Sequence, residues 1–252
     1  CIFKKSYSIK SVNLGSQKRI IDSKKKKIKG YFQQIFYGTN IQTLRNFDHL
    51  YQLLNFKNKV LIIGGGTIGS GMDKFLTACK LKEICFESID VYFSDNVTAI
   101  ADAHYLPFMD NSFDAVIIQA VLEHVINPQK VVNEIHRVLS RNGYIYSETP
   151  FLQSVHEGAF DFNRFSHSGH RWLFREFKEI SSGTHQGAFS SALFVFSYAF
   201  AGLLRNSLIG IIIRLVFTRV CSFLDRLVSP KCNIDVACGC YFLGKKIDSK
   251  TK

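Results

Sequence analysis

Val60-Leu61-Ile62-Ile63-Gly64-Gly65-Gly66-Thr67-Ile68-Gly69-Ser70-Gly71 decides the fold. The four apolar residues read as a buried strand. The glycines after them read as a turn too tight for side chains, opening onto a helix. Glycine takes positive φ without penalty and lets a ligand approach bare backbone. A flat, polar ligand is therefore expected over residues 64–71. Alone, the run leaves two readings open, because Gly64-x-Gly66-x-x-Gly69 with Asp90 about twenty residues further on also satisfies the dinucleotide-binding pattern.

Downstream, apolar strands alternate with helical segments, the pattern of βαβ units and a mostly parallel sheet. Strands are expected near residues 59–63, 83–90, 97–101, 114–119 and 143–148. The clearest helix follows the fourth strand. Asn127 caps it, Pro128 suits its first position, and Val131, Val132, Ile135, Val138 and Leu139 make one apolar face, with Gly143 just beyond the end. The second strand ends at Asp90, the third at Asp102 and the fourth at Gln119. Each delivers a polar side chain to the edge where open α/β sheets bind ligands.

At 252 residues and 46% hydrophobic content, the chain suffices for one α/β domain with a substantial core, and a second full domain is not expected. The seven cysteines (Cys1, Cys79, Cys85, Cys221, Cys232, Cys238, Cys240) are odd in number and scattered, which suits a reducing, cytoplasmic compartment without disulfides. Cys238-x-Cys240 reads as a pair of buried small hydrophobes rather than a zinc site, since no histidine follows at ligand spacing. No metal is expected. The net charge is +12, and residues 1–30 hold ten Lys and Arg against one Asp. That run, peaking at Lys24-Lys25-Lys26-Lys27, reads as a solvated basic extension, because basic runs without interleaved aromatics seldom read bases. Phe47, Leu50, Leu53 and Leu54 recur at helical spacing and predict a helix covering the sheet or its ligand. The chain begins with Cys1 rather than Met, which leaves open whether a preceding segment with a targeting signal is missing.

Several ordered motifs then narrow the choice. They are Asp102-Ala103-His104-Tyr105-Leu106-Pro107-Phe108, Asn111-Ser112-Phe113-Asp114-Ala115-Val116, Val121-Leu122-Glu123-His124-Val125, and Glu134-Ile135-His136-Arg137-Val138-Leu139 with Gly143. Together, over residues 58–182, they resemble the class I S-adenosylmethionine-dependent methyltransferases of the small-molecule type. The resemblance implies an α/β, Rossmann-like, seven-stranded, mostly parallel sheet with helices on both faces. It also implies S-adenosylmethionine as cofactor, with Gly64, Gly65, Gly66 and Gly69 cradling its methionine end, Asp90 on the ribose hydroxyls, Asp102 and Ala103 at the adenine, and Gln119 facing it from the fourth strand. Two positions depart from the family pattern: Ile62 and Ile63 stand where it places an acid, and Ile68 interrupts its third alternate glycine. The structural alternatives are ordinary ones, Asp90 as a turn acid and Asp102 as a helix N-cap. Glu123 and His124 are read as structural residues opening the helical segment after strand four.

After strand five come Thr149-Pro150-Phe151-Leu152-Gln153-Ser154-Val155-His156-Glu157, then Asp161-Phe162-Asn163-Arg164-Phe165, then Ser168-Gly169-His170-Arg171-Trp172. This segment resembles one found in methyltransferases encoded beside glycan-assembly enzymes. It sits where an acceptor would enter. Methyl transfer to oxygen needs an in-line approach and a base for the leaving proton. His156 is the candidate base, and Asp161 is its orienter or a rival base. The alternative is that His156 and Arg164 only pin the loop.

Residues 190–230 form a hydrophobic helical insertion in two bursts, Ala192 to Leu204 and Leu208 to Val228, broken by Arg205-Asn206. Neither reaches the length of uninterrupted apolar sequence a transmembrane helix needs. The favoured reading is a helical pair packed on the domain, with a lid over the substrate or an interfacial membrane contact as the other options. Asp235 to Lys246 reads as a final strand, which the resemblance makes antiparallel. The domains expected are thus 1–57, a basic extension with a covering helix, and 58–252, the methyltransferase domain.

The function expected is methyl transfer to a small-molecule, glycan or lipid-linked acceptor, on oxygen, with nucleic acid disfavoured. With only Pro107, Pro128, Pro150 and Pro230 present, the chain lacks the Pro-Pro-aromatic and Pro-Cys motifs of base methylation. A nicotinamide-dependent oxidoreductase and a non-catalytic methyltransferase-like domain are the competing readings.

Overall fold

Val60, Leu61, Ile62 and Ile63 are all buried, as a strand covered on both faces must be. In the computed structural model, which describes residues 40–156 and 160–247, they form β1 (Lys59–Ile63) at the centre of a seven-stranded sheet. The basic arm, Lys24 to Lys27 and Cys1 lie outside the described residues. The other strands are β2 (Cys85–Asp90), β3 (Ala99–Ile100), β4 (Phe113–Gln119), β5 (Leu139–Pro150), β6 (Phe177–Gln186) and β7 (Gly239–Lys246), in the spatial order β3-β2-β1-β4-β5-β7-β6. Strands β1 to β5 pair in parallel, while β7 runs antiparallel to both β5 and β6.

Alternation along the strands divides the core in two. On one face Val60, Ile62, Ala115, Ile117 and Tyr146 meet Phe47 and Leu50 of α1 (Ile41–Leu53) and Met72 and Phe75 of α2 (Met72–Cys79). On the other, Leu61, Val116, Ile118 and Ile145 meet Val131, Ile135 and Val138 of α3 (Pro128–Val138) and Leu173 of α4 (His167–Leu173). The helix starts follow from the sequence. Asn40 Oδ1 accepts the Gln42 N–H at 2.9 Å, and Asn127 Oδ1 accepts the Lys130 N–H at 3.0 Å with Pro128 at the first helical position.

Several elements differ from the sequence reading. The helix α3 stops at Val138 because Leu139 is already extended, so Leu139 and Gly143 belong to β5 rather than to the helix and its end, and β3 stops at Ile100, two residues before Asp102. Strand β6 was not anticipated, because an edge strand with the run Ser181-Ser182-Gly183-Thr184 lacks a buried alternation. The final strand begins at Gly239 rather than Asp235, because Ser229 caps a short helix, α7 (Pro230–Asp235), and so Asp235 closes a helix.

The insertion is a helical hairpin, α5 (Ala188–Leu203) and α6 (Ser207–Leu224). It does not pack broadly on the domain as expected. Its two helices pack on each other, and polar groups hold its base: Asp225 accepts the N–H groups of Gly187 (3.0 Å) and Phe189 (2.7 Å), and Asn233 Oδ1 accepts that of Ala188 (3.0 Å). The pair is inside-out. Ser190, Ser191 and Ser197 are buried and Arg214 reaches Ser197 Oγ at 3.3 Å, while Val195, Phe196, Leu203, Ile212, Val216 and Phe223 are more than half exposed.

Candidate active site

A cavity of ≈ 470 Å³ opens at the C-terminal ends of β1, β2, β4 and β5, the edge where the sequence placed its polar side chains. The turn after β1 forms its wall. Gly64 has φ 82°, a conformation that favours glycine, and a Cβ there would collide with Val121. A Cβ on Gly69 would collide with Gln119 Oε1. Gly65 faces elsewhere, against Ser88 of β2, and does not line the cavity. Gly66 contributes its N–H, which Asp90 Oδ2 accepts at 2.9 Å.

Asp90 lies at the cavity, 9% exposed, with its second oxygen accepting the Val91 N–H at 2.7 Å. Each carboxylate oxygen thus accepts one backbone N–H. Asp102 and Ala103 line the cavity as well. Asp102 is not a helix N-cap: its Oδ1 accepts the His104 N–H at 2.9 Å in a turn and meets His104 Nδ1 at 2.6 Å, and these bonds hold its carboxyl below the usual carboxylate range. The far nitrogen of His104 accepts the Asn127 N–H at 3.2 Å, which ties this corner to the start of α3. Gln119 Nε2 donates to Glu148 Oε2 (2.6 Å) and to Ser70 O (3.3 Å), and its buried Oε1 has no protein partner among the described residues.

Glu148 was not anticipated. It is a buried acid on the cavity wall that also accepts hydrogen bonds from Thr43 Oγ1 of α1 (2.6 Å) and from the Tyr146 hydroxyl. The signal available was its place at the end of β5 beside Thr149-Pro150. His185, also on the wall, lies in a β6 that the sequence did not reveal; burial holds its imidazole below its ordinary value.

The loop after β5 brings His156 to the cavity. Its backbone N–H donates to Asp161 Oδ2 (2.8 Å), and Glu123, 3.7 Å from its Nε2, holds the imidazole above its ordinary value despite burial. Asp161 lies outside the cavity lining and is closed off. Burial pushes its carboxyl up, but Arg164, which donates to both its oxygens, and the His156 N–H bring it below the usual range. Arg164 also binds the carbonyls of Asn163 (2.8 Å) and Gln153 (3.4 Å), so it pins the loop as a clasp. Glu123 and His124 form a short 3-10 turn after β4 (Leu122–His124). His124 lines the cavity, and Glu123 lies fully buried between the two histidines.

The geometry separates the two readings of the glycine turn. Dinucleotide folds run 3-2-1-4-5-6 with all strands parallel and seat a pyrophosphate on the helix that follows the turn directly. Here β7 is inserted antiparallel beside β5, and α2 begins only at Met72, past the turn. Residues 72–147 match the family model described as methyltransferase domain. Over this stretch the chain is similar to a methyltransferase domain. Solved structures share its fold. A putative methyltransferase of Haloferax volcanii in complex with the Trm112 activator is 16% identical, covering 92% of this chain and 100% of that one, with a TM-score of 0.55. A putative sarcosine dimethylglycine methyltransferase from Galdieria sulphuraria is 15% identical, covering 82% and 86%, with a TM-score of 0.52. A SAM-dependent methyltransferase from Archaeoglobus fulgidus is 15% identical, covering 86% and 99%, with a TM-score of 0.52. An uncharacterised protein of Methanocaldococcus jannaschii is 48% identical over 46 residues, and the match spans 18% of this chain and 22% of that relative.

Proposed function

We propose that this domain binds S-adenosylmethionine along the glycine turn and transfers its methyl group to an oxygen of a small-molecule, glycan or lipid-linked acceptor. One observation carries the reading. A single cavity is walled by three acids, Asp90, Asp102 and Glu148, by glycines whose Cβ positions are taken, and by the histidines His124, His156 and His185. The residues fit an adenosine bearing a sulfonium. Asp90 places a carboxylate on the cavity wall where a diol would bind, and Ala103 and Asp102 stand beside each other for a flat base and its amino group. Glu148, joined to Ser70 through Gln119, supplies a negative charge near the turn where Ile62 and Ile63 leave none.

When bound, the cofactor supplies an electrophilic methyl. The chain's part is to hold the acceptor in line, exclude water, and let its hydroxyl proton leave at the Glu123–His124–His156 cluster. Calorimetric titration with S-adenosylmethionine, followed by labelled methyl transfer onto sugar, lipid and quinone pools, tests the reading. Absence of binding by the folded protein overturns it.

The hairpin favours an acceptor met at a membrane surface. Among the described residues no helix is long and apolar enough to cross a membrane. The apolar side chains of α5 and α6 nonetheless face outward, and the helices touch through Ser197, Ala201 and Gly210, the small-residue packing of helices that live in lipid. Apart from Arg214, which turns inward to Ser197, residues 188–231 carry Arg205, Arg219, Arg226 and Lys231 against Asp225 alone, and that acid is occupied at the hairpin base. This matches an anionic bilayer, where each cation near the surface contributes about 1 kcal/mol. Flotation with phosphatidylglycerol-containing vesicles, but not with pure phosphatidylcholine, is expected, and Phe196→Asp with Val216→Asp abolishes it. Equal flotation by the double variant excludes the contact.

A further inference from the structure

We propose that Glu123, His124 and His156 bind one divalent transition-metal cation on the wall of the cavity. The proposal deepens the methyl-transfer reading and rests on it for the cation's role. Its binding stands on the side chains alone.

Glu123 is 0% exposed, and neither carboxylate oxygen has a hydrogen-bond partner among the described residues. A buried carboxylate left in this state is costly, and such groups are paired or coordinate a metal. Its backbone shows no comparable need, since Glu123 O accepts the N–H groups of Phe162 (2.7 Å) and Asn163 (3.1 Å), which fix the residue in place.

The two imidazoles point the same way. His124 Nδ1 lies 2.7 Å from Phe160 O, and His156 Nδ1 lies 3.5 Å from Ser154 O and 3.6 Å from Asp161 Oδ2. A carbonyl only accepts, so in His124 Nδ1 carries the proton and Nε2 keeps its lone pair. The Nε2 atoms of both rings face Glu123, at 3.8 Å (His124) and 3.7 Å (His156) from Oε1, and a cation bound there would displace any proton on the His156 nitrogen. Such separations are too long for hydrogen bonds. They suit atoms sharing an ion: metal–ligand bonds of about 2.0–2.2 Å at tetrahedral angles put two ligands about 3.3–3.6 Å apart. All three ligand atoms lie within 4.8 Å of one another.

The surroundings are those of a metal site too. A ligating histidine ordinarily gives its other N–H to a carbonyl or carboxylate, and a ligating group's own partner is held in turn. Here Asp161 faces His156 and is itself gripped by Arg164. Two nitrogens and a carboxylate suit zinc, cobalt(II), iron(II) or manganese(II) rather than calcium or magnesium. Three protein ligands leave a position open, and both histidines line the cavity. An acceptor hydroxyl at that position releases its proton to water more readily. Its oxygen then forms the new bond to the methyl carbon as the sulfur–carbon bond breaks, with the electron pair remaining on sulfur.

The test uses the full, untagged chain, stripped with chelator and titrated with Co²⁺. Calorimetry and visible absorption read the metal, and S-adenosylmethionine affinity is measured on the same preparation. One equivalent of Co²⁺ with absorption bands distinct from the aqueous ion is expected. Glu123→Gln, which keeps the side-chain shape, and His156→Ala should each weaken binding by roughly tenfold or more with circular dichroism unchanged. No saturable binding, or binding unaltered in both variants, overturns the proposal. Cofactor binding without metal binding sinks the cation and leaves the methyl-transfer reading standing. Metal binding without cofactor binding upholds the site and sinks that reading.

Discussion

Replacing Asp90 by alanine is expected to weaken S-adenosylmethionine binding while leaving the sheet intact. Asp90 Oδ2 holds the Gly66 N–H at 2.9 Å and Oδ1 the Val91 N–H at 2.7 Å, so the carboxylate is fixed before any ligand arrives. A hydrogen bond to an ionised group contributes about 1.5–3 kcal/mol. Water repays part of the loss, because a cavity open to solvent rehydrates the ribose hydroxyls, and a net cost of about 1–3 kcal/mol, or roughly 5- to 150-fold in Kd, is expected. Releasing the Gly66 N–H also loosens the turn, so the effect should appear with S-adenosylhomocysteine as well. Calorimetric titration of both ligands measures it, with thermal unfolding as the control for folding. An unchanged Kd in a folded Asp90→Ala protein would refute the placement of the ribose.

Glu148→Gln removes the negative charge beside the glycine turn and should weaken the cofactor by about 1–3 kcal/mol, since charge-assisted bonds are lost; titration of the thioether product, whose amino group is unchanged, reads the same loss. His156→Ala should lower the maximal rate by roughly 10²–10⁴ with cofactor affinity unchanged, the range for losing a group that eases the departure of the acceptor's proton, either directly or by holding the cation. A clasp alone would instead raise KM and lower the melting temperature. His170 is fully buried, hydrogen-bonded through Nε2 to Ser147 Oγ at 2.9 Å, and burial holds its imidazole down to about 3. The unfolded chain binds that proton more readily, so stability is complete above about pH 6.5 and falls below it by about 1.4 kcal/mol per pH unit towards 3. Melting curves from pH 7 to 4.5 should show this slope, and His170→Gln should flatten it.

The sheet was legible because its apolar runs are uninterrupted and its helix caps explicit. Val60 to Ile63, Asn127 and Pro128 state their roles in residue type alone, and Asp90 and Gln119 follow from their places at strand ends, while Asp102 lies in a turn two residues beyond β3. The rest depends on distant partners. Glu148 becomes part of the cavity only through contacts with Gln119 and Thr43, and His185 belongs to an edge strand whose residues do not alternate. Asp161 sits beside His156 as the sequence suggested, but Arg164 occupies it. Glu123 resembled any polar residue at a helix start; its burial between two histidines is a tertiary fact. The direction in which the hairpin turns its apolar residues was equally hidden, since two amphipathic helices can pair with either face inward.

The hydrogen bond from Thr43 to Glu148 also bears on how the protein is made. Helix α1 leaves the ribosome early, yet the acid it binds lies 105 residues later in the chain. At about 5–20 residues per second, roughly 5–20 s pass between the synthesis of Thr43 and that of the acid it binds. The boundary expected at residue 57 therefore cuts through a working unit. The segment before β1 is synthesised well before the cavity acid it holds, and this waiting interval is where a chaperone would matter most.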